Sequence, residues 1–120
     1  MRTELTAALF DRARLLANSG GDEDLLREVV GVFLREAPRL RREIESVLER
    51  ADAGGLERAA HALKGMMSLV SGEEAVAPVC ALEERAHAGD LERSRALCWK
   101  VDAALGRLCA ELEGEVGCRP

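Results

Sequence analysis

Leu56-Glu57-Arg58-Ala59-Ala60-His61-Ala62-Leu63-Lys64-Gly65-Met66-Met67-Ser68-Leu69-Val70 is the stretch that decides how this 120-residue chain is built. At about 100° of rotation per residue, Leu56, Ala59, Ala60, Leu63, Met66, Met67 and Val70 gather within an arc of roughly 120°, the apolar stripe of a helix with one side turned to a core. On the same wheel His61 stands about 160° from Leu63, and Glu57, Lys64, Gly65 and Ser68 lie on its side of the helix. The pattern predicts a rigid helix that presents an imidazole to solvent.

Chemistry can be attached to that placement. Histidine is the side chain whose unperturbed proton equilibrium lies nearest neutrality, so an exposed imidazole is substantially neutral and nucleophilic at pH 7. Lys64, three residues on, can lend positive charge to an anionic group arriving at the ring. Gly65, four residues on, costs about 1 kcal/mol in a helix relative to alanine, which suggests that something bulky approaches there. A phosphoryl group with its carrier fits. A solvated surface histidine beside a lysine, with Gly65 at a close helix crossing, is the plainer alternative.

Outward from this helix, turn signals divide the chain. Asn18-Ser19-Gly20-Gly21, Asp52-Ala53-Gly54-Gly55 and Ala88-Gly89-Asp90 each join a residue that tolerates left-handed geometry to a good N-cap candidate. Ser71-Gly72-Glu73-Glu74 adds a break, with Ser71 and Glu74 spaced as a capping box. A short first helix is expected to bury Leu5, Leu9, Ala13 and Leu16. From Asp22 to about Asp52, Leu25, Val29, Phe33, Ala37, Leu40, Ile44, Val47, Leu48 and Ala51 keep helical phase. One long helix kinked at Pro38 is expected, with a break near Ala37 as the competing reading. Further helices are expected over Leu56–Val70, from about Glu74 to Ala88, and over Leu91–Glu113, the last with Leu97, Val101, Leu105, Leu108 and Leu112 inward. Pro78 sits inside the fourth of these or marks its start. Short connections favour an antiparallel up-down four-helix bundle with a short additional N-terminal helix. The chain is then one domain over 1–120, with a core of about 5–113 and a flexible tail at 114–120.

Composition agrees with an all-α fold. Only Phe10, Phe33 and Trp99 are aromatic, and Ala, Leu, Arg and Glu dominate. A net charge of −5 makes nucleic acid a poor partner. The longest uncharged run, between Lys64 and Glu73, holds glycines and serines and cannot cross a bilayer. Arg2 and Glu4 interrupt the N-terminus, which lacks the apolar region of a secretory signal, so a cytoplasmic protein is expected. Cys80, Cys98, Cys109 and Cys118 match no zinc-ligand spacing and read as structural thiols, with Cys118 the exposed one. His87, near a helix end, suits the dipole there. Glycine-rich phosphate loops of the kinase or P-loop type are missing, so no ATP-dependent chemistry of its own is expected.

The string Ala59-Ala60-His61-Ala62-Leu63-Lys64-Gly65 resembles the phosphoacceptor signature of histidine-containing phosphotransfer (HPt) domains, the relay modules of multistep two-component signalling. The resemblance covers nearly the whole chain. Gly21-Asp22-Glu23-Asp24-Leu25-Leu26 and Val32-Phe33-Leu34-Arg35-Glu36-Ala37-Pro38 match the usual approach to the acceptor helix. Cys80-Ala81-Leu82-Glu83 and Ala88-Gly89-Asp90 match its exit. The resemblance implies that His61 is the phosphoacceptor, Lys64 the charge partner of the phosphoryl group and Gly65 the clearance residue, while Ser68 keeps a small-residue position. Met66 and Met67 replace the small residues usual after the glycine. It further implies a monomeric carrier with no metal or cofactor of its own. Its partners are receiver domains, which bring the aspartate and Mg²⁺, and a hybrid histidine kinase. Two other functions compete. One is a non-catalytic adaptor using Met66, Met67 and Leu69 as an adhesive patch; the other is a histidine-dependent hydrolase, disfavoured because the sequence shows no second acid or base paired with His61.

Overall fold

The computed structural model describes residues 8–116. Among them the chain forms five helices and no strand: α1 Arg12–Asn18, α2 Glu23–Glu49, α3 Ala53–Val70, α4 Glu73–His87 and α5 Leu91–Val116. Aspartates start four of them. Asp11 accepts from the amide of Arg14, Asp22 from those of Asp24 and Leu25, Asp52 from that of Gly55 and Asp90 from that of Arg93, each satisfying amides that the first turn leaves free.

The α3 helix packs against α2 on one side and α4 on the other, while α5 closes against α4 and α2, and α1 lies on α3 and α2. Leu26, Val30, Phe33, Ile44, Leu56, Leu63, Met67, Val79, Leu82, Leu108 and Leu112 fill the core, each at most 1% exposed. Such burial stabilises by about 1.5–3 kcal/mol per large side chain. Across the α2–α5 seam, Arg41 pairs with Asp102 at 2.5 Å and Arg95 donates to the carbonyl of Leu48 at 2.7 Å. The Arg41 guanidinium loses hydration there, but the hydrogen bonds and charges of its neighbours, Asp102 foremost, together outweigh that loss and hold its proton more tightly than usual.

Several expectations are corrected. The first helix starts only after Asp11: Leu15 is its fully buried residue, Leu9 and Leu16 pack partly buried against the core as expected, Ala13 is exposed, and Phe10 forms an isolated bridge to Ser71. Leu5 lies outside the described residues. Along the first turns of α2, Leu26 and Val30 enter the core, whereas Leu25 is 42% exposed and Val29 half-buried. Both i, i+4 pairs are apolar, so periodicity alone does not choose between them. Pro38 and Pro78 are both accommodated within continuous helices, so neither the break near Ala37 nor the start at Pro78 occurs. Gly54 and Gly55 belong to the first turn of α3; the turn before it places Ala51, a residue with a Cβ, at φ 56°. Ser71 forms no capping box. Its hydroxyl donates to the carbonyl of Met67 at 2.6 Å, and α4 begins at Gly72 without a side-chain cap. Helix α5 runs through Val116, beyond the tail boundary expected at residue 114.

Candidate functional site

The centre of the site is one face of the α3–α4 pair. Leu56, Ala59, Ala60, Leu63, Met67 and Val70 hold α3 in the core, so the opposite side of the helix must face water. His61 is there, with its side chain 69% exposed. Gly65 follows one turn later; a Cβ built on it would meet nothing within 4 Å. The missing side chain therefore leaves open space beside the ring, and the helix-crossing explanation for this glycine does not hold. Ser68 is half-buried further along α3.

Glu83 of α4 organises the two remaining groups. Its Oε2 lies 2.8 Å from Nδ1 of His61, and its Oε1 lies 2.6 Å from Nζ of Lys64. A carboxylate can only accept, so Nδ1 carries a hydrogen, and in the neutral ring Nε2 presents the lone pair. Partial burial by itself would raise the Glu83 carboxyl, but the hydrogen bonds and charges of Lys64 and His61 outweigh it and bring it below the usual carboxylate range. The Lys64 ammonium is correspondingly held above its ordinary value, chiefly by its bond to Glu83. Lys64 thus neighbours His61 as the spacing required, yet its ammonium points at a carboxylate.

Glu83 is the functional candidate that reasoning on residue types did not single out, and its bond to His61 corrects the expectation that no second acid or base pairs with that ring. A signal existed in the register. His61 and Glu83 are equidistant from Gly72 at the α3–α4 turn, and so are Glu57 and His87, which pair at 2.9 Å. Two antiparallel helices joined by a tight turn bring such mirror-related residues together. His87 stands in the last turn of α4, as expected, and is bound to Glu57 as well.

The methionines separate. Met67 is fully buried, Met66 half-buried, and neither covers His61 from the side of Gly65. Met67 therefore cannot belong to an adhesive surface. Leu69 can: it joins Leu25, Val29, Val32 and Met66 in an apolar groove of about 280 Å³ between α2 and α3. The described thiols behave as structural groups. Cys80, Cys98 and Cys109 are free and partly buried, and desolvation raises the thiols of Cys98 and Cys109. Cys118 lies outside the described residues. No cluster of potential metal ligands occurs among the described residues, and no helix there is long and apolar enough to cross a membrane.

An all-helical frame holding a solvent-facing imidazole, bonded on its inner side by a carboxylate, defines the class: an all-helical protein with an exposed, carboxylate-bound histidine. The chain belongs to the Hpt domain family, whose model matches residues 28–116. Members of this family are phosphotransfer carriers rather than kinases, and interact with receiver and kinase domains in two-component phosphorelays. The fold is similar to the crystal structure of histidine-containing phosphotransfer protein B (HptB) from Pseudomonas aeruginosa PAO1. The TM-score is 0.85 at 23% identity, over 96% of this chain and 100% of that one. No sequence match was found among curated proteins.

Proposed function

We propose that this protein is a phosphorelay intermediate that takes a phosphoryl group from the aspartyl phosphate of one receiver domain onto His61 and passes it to the aspartate of another. The scaffold for this is an antiparallel up-down bundle of α2–α5, with α1 lying against it. The observation that carries the reading is the two-sided environment of the ring: Nδ1 is engaged by Glu83 at 2.8 Å, while the side chain is 69% exposed beside the open space at Gly65.

In the forward step Nε2 attacks phosphorus, the P–Nε2 bond forms, and the bond from phosphorus to the donor carboxylate oxygen breaks with its electron pair leaving on the aspartate. Nδ1 keeps its hydrogen toward Glu83 throughout, so the ring need not rotate or find a base. Phosphoryl transfer asks a protein mainly for positioning and charge stabilisation, which a stiff helix and a nearby cation supply. Lys64 is held by Glu83 until the equatorial phosphoryl oxygens arrive and compete for its ammonium. The receiver contributes the Mg²⁺ and the aspartate. Cytoplasmic receivers are the expected partners, and the groove around Leu25, Val32 and Leu69 offers them an apolar contact next to the acceptor helix.

That groove also favours a second reading, an adaptor that binds a signalling partner without chemistry. The two separate on one residue. Incubation with a phosphorylated receiver should place acid-labile phosphate on the wild type and none on His61→Gln; equal labelling of both would refute the relay. An adaptor would bind its partner unchanged by His61→Ala and acquire no phosphate. A hydrolase is not favoured, because the ring sits on a convex helix surface rather than in a cleft that could hold a substrate away from water.

A further inference from the structure

A ring phosphorylated on Nε2 exists in two forms. Either Nδ1 keeps its hydrogen and the ring is cationic, or Nδ1 loses it and exposes a lone pair. We propose that the Glu83 carboxylate holds this hydrogen in place, so that the phosphoryl group is carried on an imidazolium and departs quickly, an inference that rests on His61 being the acceptor.

The geometry favours the cationic form. Oε2 of Glu83 stands 2.8 Å from Nδ1, and a carboxylate has no hydrogen to offer, so a bare Nδ1 would set two lone pairs against each other at hydrogen-bond distance. Glu83 has little freedom to turn away, since its other oxygen is bound by Lys64 at 2.6 Å and its side chain is only 19% exposed. Other charged or titratable groups surround the site. On α3 these are Glu57, Arg58 and Lys64. On α4, Cys80 and Glu84 act on Lys64, and His87 is occupied by Glu57. Toward α2, Arg58 shares a shallow cleft with Glu43 and Arg50. Among the described residues, Glu83 is the one bonded to Nδ1.

Protonation decides how the group leaves. When the P–Nε2 bond breaks, its electron pair returns to Nε2, and a cationic ring becomes neutral with Nδ1–H still in place. The incoming oxygen, from an acceptor aspartate or from water, forms the new bond to phosphorus; when water attacks, its proton passes to solvent. A neutral ring would instead have to leave with negative charge or collect a proton first. Glutamine at position 83 changes this, because its amide N–H can donate to a bare Nδ1 and stabilise the slow-leaving neutral form.

The test loads wild type, Glu83→Gln and Glu57→Gln with phosphoramidate, a small donor whose P–N bond breaks with loss of ammonia. The lifetime of phosphorylated His61 is then followed against pH by ³¹P NMR and intact mass, with far-UV circular dichroism confirming the fold. Wild type and Glu57→Gln should share one profile. In Glu83→Gln the inflection should move to lower pH, lengthening the lifetime at neutral pH by about tenfold for each unit that the inflection falls below pH 7. Superimposable profiles for wild type and Glu83→Gln, or a shorter lifetime in Glu83→Gln, would overturn the inference while leaving His61 as acceptor. If His61 of the wild type takes up no phosphoryl group, the carrier reading falls and the inference falls with it.

Discussion

Glu83 binds an exposed imidazole and the cation beside it with the two oxygens of one carboxylate. Its lowered proton affinity in the folded chain has a defined consequence for stability. A carboxyl group depressed on folding adds stability that is present above the unfolded value and lost as pH falls through the folded one. Glu83→Gln should therefore flatten the acid limb of a urea-denaturation series, from about pH 4 downward, while changing its slope little at pH 6–8. An unchanged acid limb would count against the pairing. For transfer from a receiver, Lys64→Ala should slow the reaction about tenfold, the equivalent of about 1.4 kcal/mol, without abolishing it. Gly65→Leu should fold normally, because the space beside it is open, yet block approach of the receiver. Unchanged stopped-flow rates in both variants would remove the support for this geometry. At this scale the common face of His61, Lys64 and Gly65 could be read from spacing along a single helix. Glu83 could not, because its partnership depends on the α3–α4 register, which hydrophobic periodicity does not specify.

The junction between α2 and α3 shows how an element boundary is enforced. The amide of Asp52 bonds the carbonyl of Val47 at 2.9 Å, closing the end of α2, and this turn places Ala51 at φ 56°. Left-handed backbone disfavours a Cβ by about 1–2 kcal/mol, so Ala51→Gly should raise the stability of the protein by about 1 kcal/mol in chemical denaturation. Asp52→Ala should lower it by about 1 kcal/mol through loss of the cap on Gly55. Gly55 itself is confined: a Cβ there would come within 2.5 Å of the Asp52 carboxylate and 3.0 Å of Val47. Equal stabilities for wild type and both variants would show that this junction contributes nothing. Helix existence was legible from turn residues and apolar phase, and the fifth helix carries Val101, Leu105, Leu108 and Leu112 inward as its spacing requires. Faces were less legible where apolar residues are in excess. Leu25 and Leu26 compete for one core position, and packing against the neighbouring helices selects Leu26.

Viewed whole, the molecule separates what holds it together from what it offers to partners. Most large apolar side chains are buried, while Leu25, Val32 and Leu69 remain more than 40% exposed around the groove, and Trp99 is 66% exposed on α5. Lys100 lies 5.7 Å from the Trp99 ring centroid, a contact that solvent can reach. Trp99 emission should accordingly shift little on unfolding, whereas helical circular dichroism collapses cooperatively; a large blue-shifted native emission would place Trp99 in an interface. The central claim concerns one nitrogen of one histidine. After incubation with a phosphorylated receiver, long-range ¹H–¹⁵N imidazole spectra together with peptide mass mapping should find the phosphoryl group on Nε2 of His61. Phosphate on Nδ1, on His87, or on no histidine at all would contradict the account.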